Sequence, residues 1–578
     1  AEGRVVKIIE RRKNIVIGIL ERSKDFAFVI PTGSFGKDIY IPNSQIKNAA
    51  NKDLVAVEIT FWGDNSRKPE GKVIKILGSS TNSKNMIEAL IYREGLSEKF
   101  SNEAMQQTNS IIANSKIDYT KRKDLTNLSI ITIDGADAKD LDDAVYVEKL
   151  ENGNYRLIVS IADVAHYVKK DSTLDLEARN RGNSVYLVDR VLPMFPKEIS
   201  NGICSLNEKE EKLTFSCEME IDLKGKVVNY EVYKSVIKSV HRMTYKAVNG
   251  ILDGDKDLIN EYSDIYEMLK QMLELSKILR AKKHKRGSID FELPELKVVL
   301  DKDEKVEKVY LKDRGEGEKI IEDFMIAANE TVAERIFWLE LASIYRTHEK
   351  PDREKIVVLN EILAKFGYKI PNFDNLHPKQ FQEIIERSRN KETSMLVHKT
   401  ILTSLKQARY TVEDIGHFGL ASSHYTHFTS PIRRYADLMI HRVLFSTIDN
   451  SIKPFKEVDL DEIAQHISKT ERVAMKAEDE SVRIKLVEYM QKRVGEKLTV
   501  MVTGFAPRKV FFETDEHIEC SWDVTTSPNY YVFDEENYCM VDRESDTVFN
   551  LGDKVEAVLE RADLLTLEIS VKPLKDIF

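Results

Sequence analysis

The sequence has little cysteine and lacks any long apolar run. Its four cysteines are widely separated and form no Cys-x-x-Cys pair, so a zinc knuckle is not indicated and free thiols in a reducing cytosol are expected. No stretch approaches the roughly eighteen consecutive apolar residues of a membrane helix. The charged first residues do not form a signal peptide. These absences predict a cytoplasmic protein without a membrane partner.

Net positive charge is also lacking, since the formal net charge is −9. That value hides an asymmetry: residues 1–80 contain fourteen basic and nine acidic residues, whereas residues 491–578 contain ten and eighteen. A phosphate backbone responds to local basic stripes rather than to the net charge of a protein. The net charge therefore does not exclude a nucleic-acid partner.

Alternating apolar residues predict a small β-barrel at each end of the chain. Residues 1–80 contain the strand-like stretches RVVKIIER, NIVIGILE, DFAFVIP, DIYIP and LVAVEITFW, with GKVIKIL closing or extending the sheet. About five short strands in this length are typical of an OB-type barrel. Residues 491–573 predict a second barrel of the same type. Four aromatic residues near the first barrel's central hairpin are candidates either for stacking on bases or for packing in the core: Phe26, Phe28, Phe35 and Tyr40.

The segment between the barrels predicts a large α+β domain. We expect a linker with helices at residues 81–121, strands followed by long helices at residues 122–447, and a helical connector at residues 448–490. The predicted fold is therefore multidomain, with an α+β domain flanked by small all-β OB-fold barrels. Barrels of this kind beside a large α+β unit are typical of proteins that bind single-stranded nucleic acid.

An acidic cluster lies between apolar, β-branched residues near the start of the α+β domain. Residues 134–143 contain five aspartates and one lysine. Two carboxylates about 5 Å apart repel by roughly 3 kcal/mol at an effective dielectric constant of 20, so a cation is expected among them. An EF-hand loop would need Gly and Glu at set positions that this stretch does not provide. A solvated loop is one alternative; the strand-like flanks favour Mg²⁺ or Mn²⁺ for phosphoryl transfer.

A second stretch, HFGLASSHYTHFTSPIRRYADLMIHRVL at residues 417–444, combines histidines with a double arginine. His417, His427 and His441 could be zinc ligands, but their spacing matches no common zinc pattern. Pro431 suits the first turn of a helix, where backbone N–H groups face an anion. Arg433 and Arg434 would then suit bidentate phosphate binding, the alternative being ordinary surface charges.

The two stretches together resemble the signature regions of the ribonuclease II (RNB) family of exoribonucleases, carried here by TIDGADAKDLDDAV and YTHFTSPIRRYADLMIHR. The stretches RGNSVYLVDRVLPMFPKEISNGICSLN and RGSIDFELPE also match. The resemblance spans nearly the whole chain and implies a cold-shock domain, an RNB catalytic domain and a C-terminal RNA-binding OB fold. The double arginine and RGNSVY are closer to the ribonuclease R branch, and the resemblance implies that this branch's usual first cold-shock domain and lysine-rich tail are lacking here.

The resemblance also implies a role for individual residues at the centre of the site. Four aspartates match the metal positions: Asp134, Asp140, Asp142 and Asp143. Asp137 falls outside that set, and Asp142 matches the position most closely tied to cleavage. Arg433 matches the arginine that contacts the scissile or leaving phosphate, with Arg434 beside it as a further RNA-binding candidate.

Further RNA contacts are implied by aromatic and acidic positions. Tyr186 matches the residue that clamps the 3′-terminal region, and Phe291 matches a residue that stacks on bases. Tyr245 and Glu322 match positions associated with choosing ribose over deoxyribose.

The implied reaction is processive hydrolysis of RNA from its 3′ end to nucleoside 5′-monophosphates. Mg²⁺ is the expected cofactor, with Mn²⁺ as a substitute, and a monomer is expected to act on single-stranded RNA and on structured RNA with 3′ overhangs. Two alternatives stay open: a ribonuclease II-like enzyme that stalls at duplexes, and a catalytically silent RNA-binding protein. A DNA exonuclease is disfavoured by the resemblance alone, because composition does not distinguish the sugars.

Overall fold

The computed structural model describes residues 14–32, 35–64, 66–291, 295–312, 314–371, 373–448, 455–545 and 547–574. The strand expected at residues 4–11 lies outside these ranges. Within them, no helix combines the length and the apolar character needed to cross a bilayer.

The first domain is a closed barrel of five strands in the order β1-β2-β3-β5-β4. The strands are β1 (Ile15–Arg22), β2 (Phe26–Pro31), β3 (Ile39–Pro42), β4 (Asp53–Phe61) and β5 (Glu70–Ser79). The stretch GKVIKIL forms most of β5 and closes the barrel. Period-two alternation fills the interior with small and branched residues such as Ala27, Val29 and Val55.

The barrel's aromatic residues are divided between two environments. Phe26 and Phe28 alternate with the buried Ala27 and Val29, so they lie half-buried on the outer face, where both rings contact Tyr40. Phe35 instead packs against the barrel core. Base stacking therefore stays a candidate role for Phe26, Phe28 and Tyr40, whereas Phe35 has the alternative role of core packing.

Two helices, α1 (Ser83–Glu94) and α2 (Asn102–Asn114), lead into the central domain. The side chain of Asn82 caps α1 by accepting the backbone N–H of Lys84. Gly95 ends this helix in the left-handed conformation, with φ of 71°, which glycine adopts without a steric penalty.

The central domain is built on a seven-stranded sheet in the order β14-β7-β8-β9-β12-β13-β6. Its strands are β6 (Lys123–Asp124), β7 (Ile131–Asp134), β8 (Asp143–Lys149), β9 (Tyr155–Ala162), β12 (Glu211–Ile221), β13 (Val227–Lys238) and β14 (His241–Thr244). The short strands β10 (Val185–Tyr186) and β11 (Val191–Leu192) form a separate hairpin. Strand β9 is buried along almost its whole length, which indicates that the sheet is covered on both faces.

Helices and small hairpins surround this sheet. Between its strands lie α3 (Val164–Tyr167) and α4 (Thr173–Arg181), and after it come α5 (Tyr245–Leu252), α6 (Lys256–Glu261), α7 (Tyr266–Arg286), β15 (Glu295–Leu300), β16 (Val306–Lys312) and α8 (Glu316–Trp338). The chain continues through β17 (Tyr345–Thr347), α9 (Arg353–Lys365), α10 (Pro378–Ser388), α11 (Ser394–Ser404), β18 (Arg409–Thr411), α12 (Tyr435–Ile448) and α13 (Glu457–Gln491). Helix α8 is nearly apolar on its buried face and packs across the sheet.

The last domain combines a closed barrel with a three-stranded sheet. The barrel strands are β19 (Lys497–Ala506), β20 (Lys509–Thr514), β21 (Glu519–Asp523), β25 (Lys554–Asp563) and β26 (Glu568–Pro573). The added sheet contains β22 (Tyr531–Asp534), β23 (Cys539–Asp542) and β24 (Val548–Asn550). Trp522 is 1 % exposed and its ring contacts Tyr531 and Phe549, so the added sheet shares the barrel's core.

One hydrophobic cluster joins the two barrels through α1 and α13. It includes Ile17 of the first barrel, Leu90 of α1, Val487 of α13 and Val555 of the last barrel.

Within this junction Lys485 is 1 % exposed. Its ammonium group donates to Ser83 Oγ at 2.8 Å, to the Glu304 carbonyl at 2.5 Å and to Glu488 Oε2 at 3.0 Å. A buried lysine therefore satisfies three acceptors where α1, α13 and the β15–β16 hairpin meet.

We expect Lys485→Met to lower the midpoint of chemical denaturation, because the change keeps the stem volume but leaves buried acceptors unpaired. An unsatisfied buried polar group costs about 1–3 kcal/mol. Lys492→Met, at an exposed position just after α13, is the matched control and should leave the midpoint unchanged. Equal midpoints for the two variants would show that the ammonium group adds nothing to the stability of the junction.

Candidate active site

The acidic cluster forms a loop between two adjacent sheet strands. Asp134 is the last residue of β7 and Asp143 the first residue of β8, and these strands pair antiparallel through Ile131 and Val145. Because the flanking strands are buried, both carboxylates are held at the same edge of the sheet. The intervening loop therefore has little freedom to move its charges apart.

Backbone hydrogen bonds fix the loop itself. Leu141 N–H donates to Ser205 Oγ at 3.1 Å, and this hydroxyl donates to the Lys139 carbonyl at 2.9 Å. Arg242 donates to the Ala138 carbonyl at 2.5 Å. The loop carrying the aspartates is thus attached at two points to neighbouring segments.

Asp142 is the most deeply buried of the aspartates, at 4 % exposure. Its Oδ1 accepts the backbone N–H of Ile432 at 2.8 Å. Its Oδ2 is buried without a hydrogen-bond partner, with Arg433 Nε 3.9 Å away. Burial raises the pKa of Asp142 well above its ordinary value, against the lowering effect of Arg433. This carboxylate needs a further positive partner to be stable in its charged form.

The pKa values of the neighbouring Asp134 and Asp143 are raised as well. Burial, reinforced by the charge of Asp134, raises the pKa of Asp143 to about 7. The pKa of Asp134 is raised by burial and, more weakly, by Asp140. The charges of Asp140 and Asp143 also raise the pKa of Asp142. Burial and mutual repulsion therefore connect all four aspartates into one electrostatic unit.

The donor set fits a divalent cation. As the side chains stand, no group of three or more His, Cys, Asp or Glu residues within the described ranges is arranged around a metal position. The four aspartates nevertheless line one cavity of about 580 Å³, and the unpartnered Asp142 Oδ2 is a buried anionic oxygen without a donor. Carboxylate oxygens with no histidine or cysteine among them suit Mg²⁺ or Mn²⁺. The family resemblance leaves Asp137 outside the metal positions. Its side chain also lines the cavity but is exposed.

The arginines approach the aspartates on a tight turn before α12. Asp437 is fully buried, and its Oδ1 accepts the Ser430 N–H at 2.7 Å and Arg434 Nη2 at 2.8 Å. Arg433 in turn donates to Ser430 Oγ at 3.1 Å while its side chain stays 42 % exposed. Arg433 is thus available to an anion, whereas the guanidinium of Arg434 is already paired.

The position of Pro431 differs from the sequence expectation. Helix α12 begins only at Tyr435, so Pro431 lies in the preceding turn and not in the helix's first turn. The reason is that Asp437 binds the Ser430 N–H and stabilises the turn, and that Arg434 forms an isolated β-bridge with Asn183. The arginines therefore face the site from a turn.

Three of the sequence-predicted RNA contacts line the same cavity: Tyr186, Tyr245 and Glu322. Tyr186 is 39 % exposed and its hydroxyl donates to Asp140 Oδ2 at 3.1 Å. Tyr245 begins α5 directly after Thr244, which pairs with Asp134 in the parallel β7–β14 ladder. Glu322 lies on α8 and forms an ion pair with Arg314.

Phe291 lies in a different environment from the other predicted contacts. It packs half-buried against the hydrophobic cluster of helices α9 to α11 and is not among the described residues that line the cavity. Its stacking role stays a prediction.

Sequence patterns indicated no role for Asn329, which organises the arginine-bearing segment. Asn329 is 3 % exposed on α8. Its Oδ1 accepts the Phe428 N–H at 2.8 Å, and its Nδ2 donates to the Tyr425 hydroxyl at 3.2 Å. The available signal was an asparagine among the mostly apolar residues of the helical pattern that forms α8. His427 and His441, considered as zinc ligands, instead contact the Tyr410 hydroxyl and the Phe428 carbonyl of the same region.

Family models and known proteins match the chain over most of its length. A family model described as "RNB domain" matches residues 122–450, and one described as "Cold shock domain" matches residues 28–101. Ribonuclease R of Thermotoga maritima is 42 % identical over 98 % of this chain and 81 % of that protein.

Two solved structures of ribonuclease R from Mycoplasma genitalium have the same fold. The complex with ribose-methylated single-stranded RNA is 27 % identical and superposes with a TM-score of 0.90 over 98 % of this chain and 91 % of the other. The complex with double-stranded RNA is 26 % identical, with a TM-score of 0.85 over 99 % and 97 %. The multidomain fold class and the family resemblance are thereby confirmed, and the chain belongs to the ribonuclease R family of exoribonucleases.

Proposed function

We propose that this chain hydrolyses RNA processively from the 3′ end, releasing nucleoside 5′-monophosphates, through the cavity that contains Asp142 and Arg433. The observation that carries the proposal is the buried, unpartnered Oδ2 of Asp142, with Arg433 Nε 3.9 Å away. A carboxylate oxygen kept without a donor inside a polar cavity is typical of a site that binds a cation. The family's 3′-to-5′ exoribonuclease activity on RNA supplies the reaction class.

Mg²⁺ is the proposed cofactor, with Mn²⁺ as a substitute, and exoribonucleases of this family depend on divalent metal. Asp134, Asp140, Asp142 and Asp143 would hold it. When bound, such an ion lowers the pKa of coordinated water and stabilises charge on the reacting oxygens. It would also offset the mutual repulsion that, together with burial, raises the pKa values of Asp134, Asp142 and Asp143.

Arg433 is proposed to bind the phosphate that is cleaved. Its guanidinium is half-exposed in the cavity and is oriented by the Ser430 hydroxyl. A fixed positive charge at this position stabilises the negative charge that develops on the phosphoryl oxygens in the transition state. Ser430 is itself held by Asp437, so the guanidinium is positioned before the RNA arrives.

The aromatic and acidic residues of the cavity are proposed to hold the RNA's 3′ end. Tyr186 presents a ring that is anchored through its hydroxyl to Asp140, and base stacking on such a ring is worth about 1–3 kcal/mol irrespective of sequence. Tyr245 and Glu322 provide a hydroxyl and a carboxylate that can bond to a 2′-OH, the group that distinguishes RNA from DNA. Phe291 is proposed to contact bases farther from the cleaved bond.

Both single-stranded RNA and RNA with a 3′ overhang are proposed substrates. The Mycoplasma genitalium ribonuclease R has been solved with single-stranded and with double-stranded RNA, which supports a similar range here. We further propose that the protein acts as a monomer. Its four free, buried cysteines suit a reducing cytoplasm.

Asp142→Asn should reduce turnover on single-stranded RNA by at least a hundredfold while RNA binding is retained. The substitution removes the charge that a cation would bind, and the lower repulsion toward phosphate favours binding. Hydrolysis with Mg²⁺ and binding to labelled RNA are measured in parallel. Asp137→Asn, in the same loop but exposed, is the control and should retain activity. Turnover of D142N within tenfold of the parent would contradict the assignment.

A Tyr245→Ala/Glu322→Ala double variant should cleave single-stranded DNA measurably while still cleaving RNA. The two side chains are proposed to make cleavage depend on a 2′-OH, so their removal should relax that requirement. Matched RNA and DNA oligonucleotides of one sequence are compared in the parent and in the variant. If the preference for RNA is undiminished in the variant, sugar discrimination resides elsewhere.

A hairpin with a long 3′ tail should be degraded through its stem at low salt. The tail must thread into the cavity as a single strand, and each base-pair step opened costs about 1–2 kcal/mol on the scale of DNA stacking. Hydrolysis makes each step irreversible, and low salt strengthens capture of the tail. Product sizing distinguishes mononucleotides plus a very short remnant from a stall a few nucleotides before the stem. The stall would favour the ribonuclease II-like alternative.

A further inference from the structure

A second, smaller cavity adjoins the catalytic one and shares part of its lining. Its volume is about 190 Å³, against about 580 Å³ for the first. Both cavities are lined by Tyr186, Arg433 and Arg434, so these three side chains form a common wall. The opposite wall of the smaller cavity is helix α13, which contributes Glu471, Met475 and Glu478.

The wall of the smaller cavity contains polar atoms without partners. Asn183 Oδ1 and Arg434 Nε are both buried without a hydrogen-bond partner, and both residues line this cavity. Buried polar groups are normally satisfied by protein, water or ligand. The cavity is therefore built for polar contents.

The charge changes sign across the cavity. Arg433, on the common wall, is next to the reacting centre. On α13, Glu471 pairs with Arg346 at 2.6 Å and Glu478 accepts the Tyr186 N–H at 2.7 Å. Met475 lies between them in sequence and is 49 % exposed, so the α13 side reaches solvent. Because Glu471 is neutralised by Arg346, a phosphate moving outward would pass from Arg433 toward the carboxylate of Glu478.

We propose that this smaller cavity, the product chamber, is the exit route of the released nucleoside 5′-monophosphate. The inference rests on the proposed processive function, because an RNA chain that stays bound between cuts fills the larger cavity and blocks that way out. Arg433 attracts the new phosphomonoester to the common wall, and the carboxylate of Glu478 on α13 then disfavours its retention by like-charge repulsion. No bond is made or broken in this step.

The test blocks the solvent side of the product chamber after folding. Met475→Cys places an accessible thiol on α13, and the four native cysteines are buried. Treatment with benzyl methanethiosulfonate attaches a bulky group there, and dithiothreitol removes it again. Val458→Cys, at a position 72 % exposed on the same helix, is the matched control.

Rapid-quench measurements on a long single-stranded RNA separate cleavage from release. For modified M475C we expect the first nucleotide to be cut within twofold of the unmodified rate, followed by at least a fivefold slower steady state. The result is a burst of one mononucleotide per bound enzyme, with kcat and KM lowered together, unchanged kcat/KM and recovery after reduction. Modified V458C should show no burst.

Two outcomes would overturn the product chamber: an unchanged steady state after modification of M475C, or an equal slowing of the first cut, which would place the effect on binding or chemistry. Loss of the proposed function is recognised separately, because the unmodified parent would then fail to release mononucleotides from the 3′ end of RNA. The failure of one proposal is thus distinguishable from the failure of the other.

Discussion

The repulsion among four aspartates held at one sheet edge is the constraint on which the rest of the site depends. Strands β7 and β8 fix Asp134 and Asp143 by pairing within the sheet, and Asp142 is buried with one oxygen unpartnered. A fold that keeps these charges together loses stability unless a cation compensates for them. Ile432 N–H and Arg433 supply part of that compensation from the other end of the domain.

The second signature stretch therefore supplies part of the positive charge that the aspartates of the first stretch need. Asp437 holds the turn that presents Arg433, and Asn329 holds the segment that precedes it. Neither residue needs to contact RNA for this purpose. Because both residues are buried, packing in the core fixes the position of Arg433. Preorganised catalytic charges are usually held in place in this way.

Sequence patterns predict those parts of the fold that are determined by residues close to one another in the chain. Period-two alternation predicts the barrels, and the β-branched flanks of the aspartate loop predict its strands. The contact between Asp142 and Ile432 joins residues 290 positions apart, and no local pattern encodes such a contact. The turn at Pro431 depends on Asp437, and the environment of Phe291 depends on helices α9 to α11. These features arise from tertiary packing, which overrides local propensity.

Helix α13 has a mechanical consequence. It runs for 35 residues, which is about 50 Å at 1.5 Å per residue, and its apolar face shares one core with both barrels. A pull on an RNA strand inside the catalytic domain creates an opposing load on whatever surface meets the duplex. Because both barrels pack against α13 through one continuous core, such a load would pass from the barrels to this helix and through it to the catalytic domain.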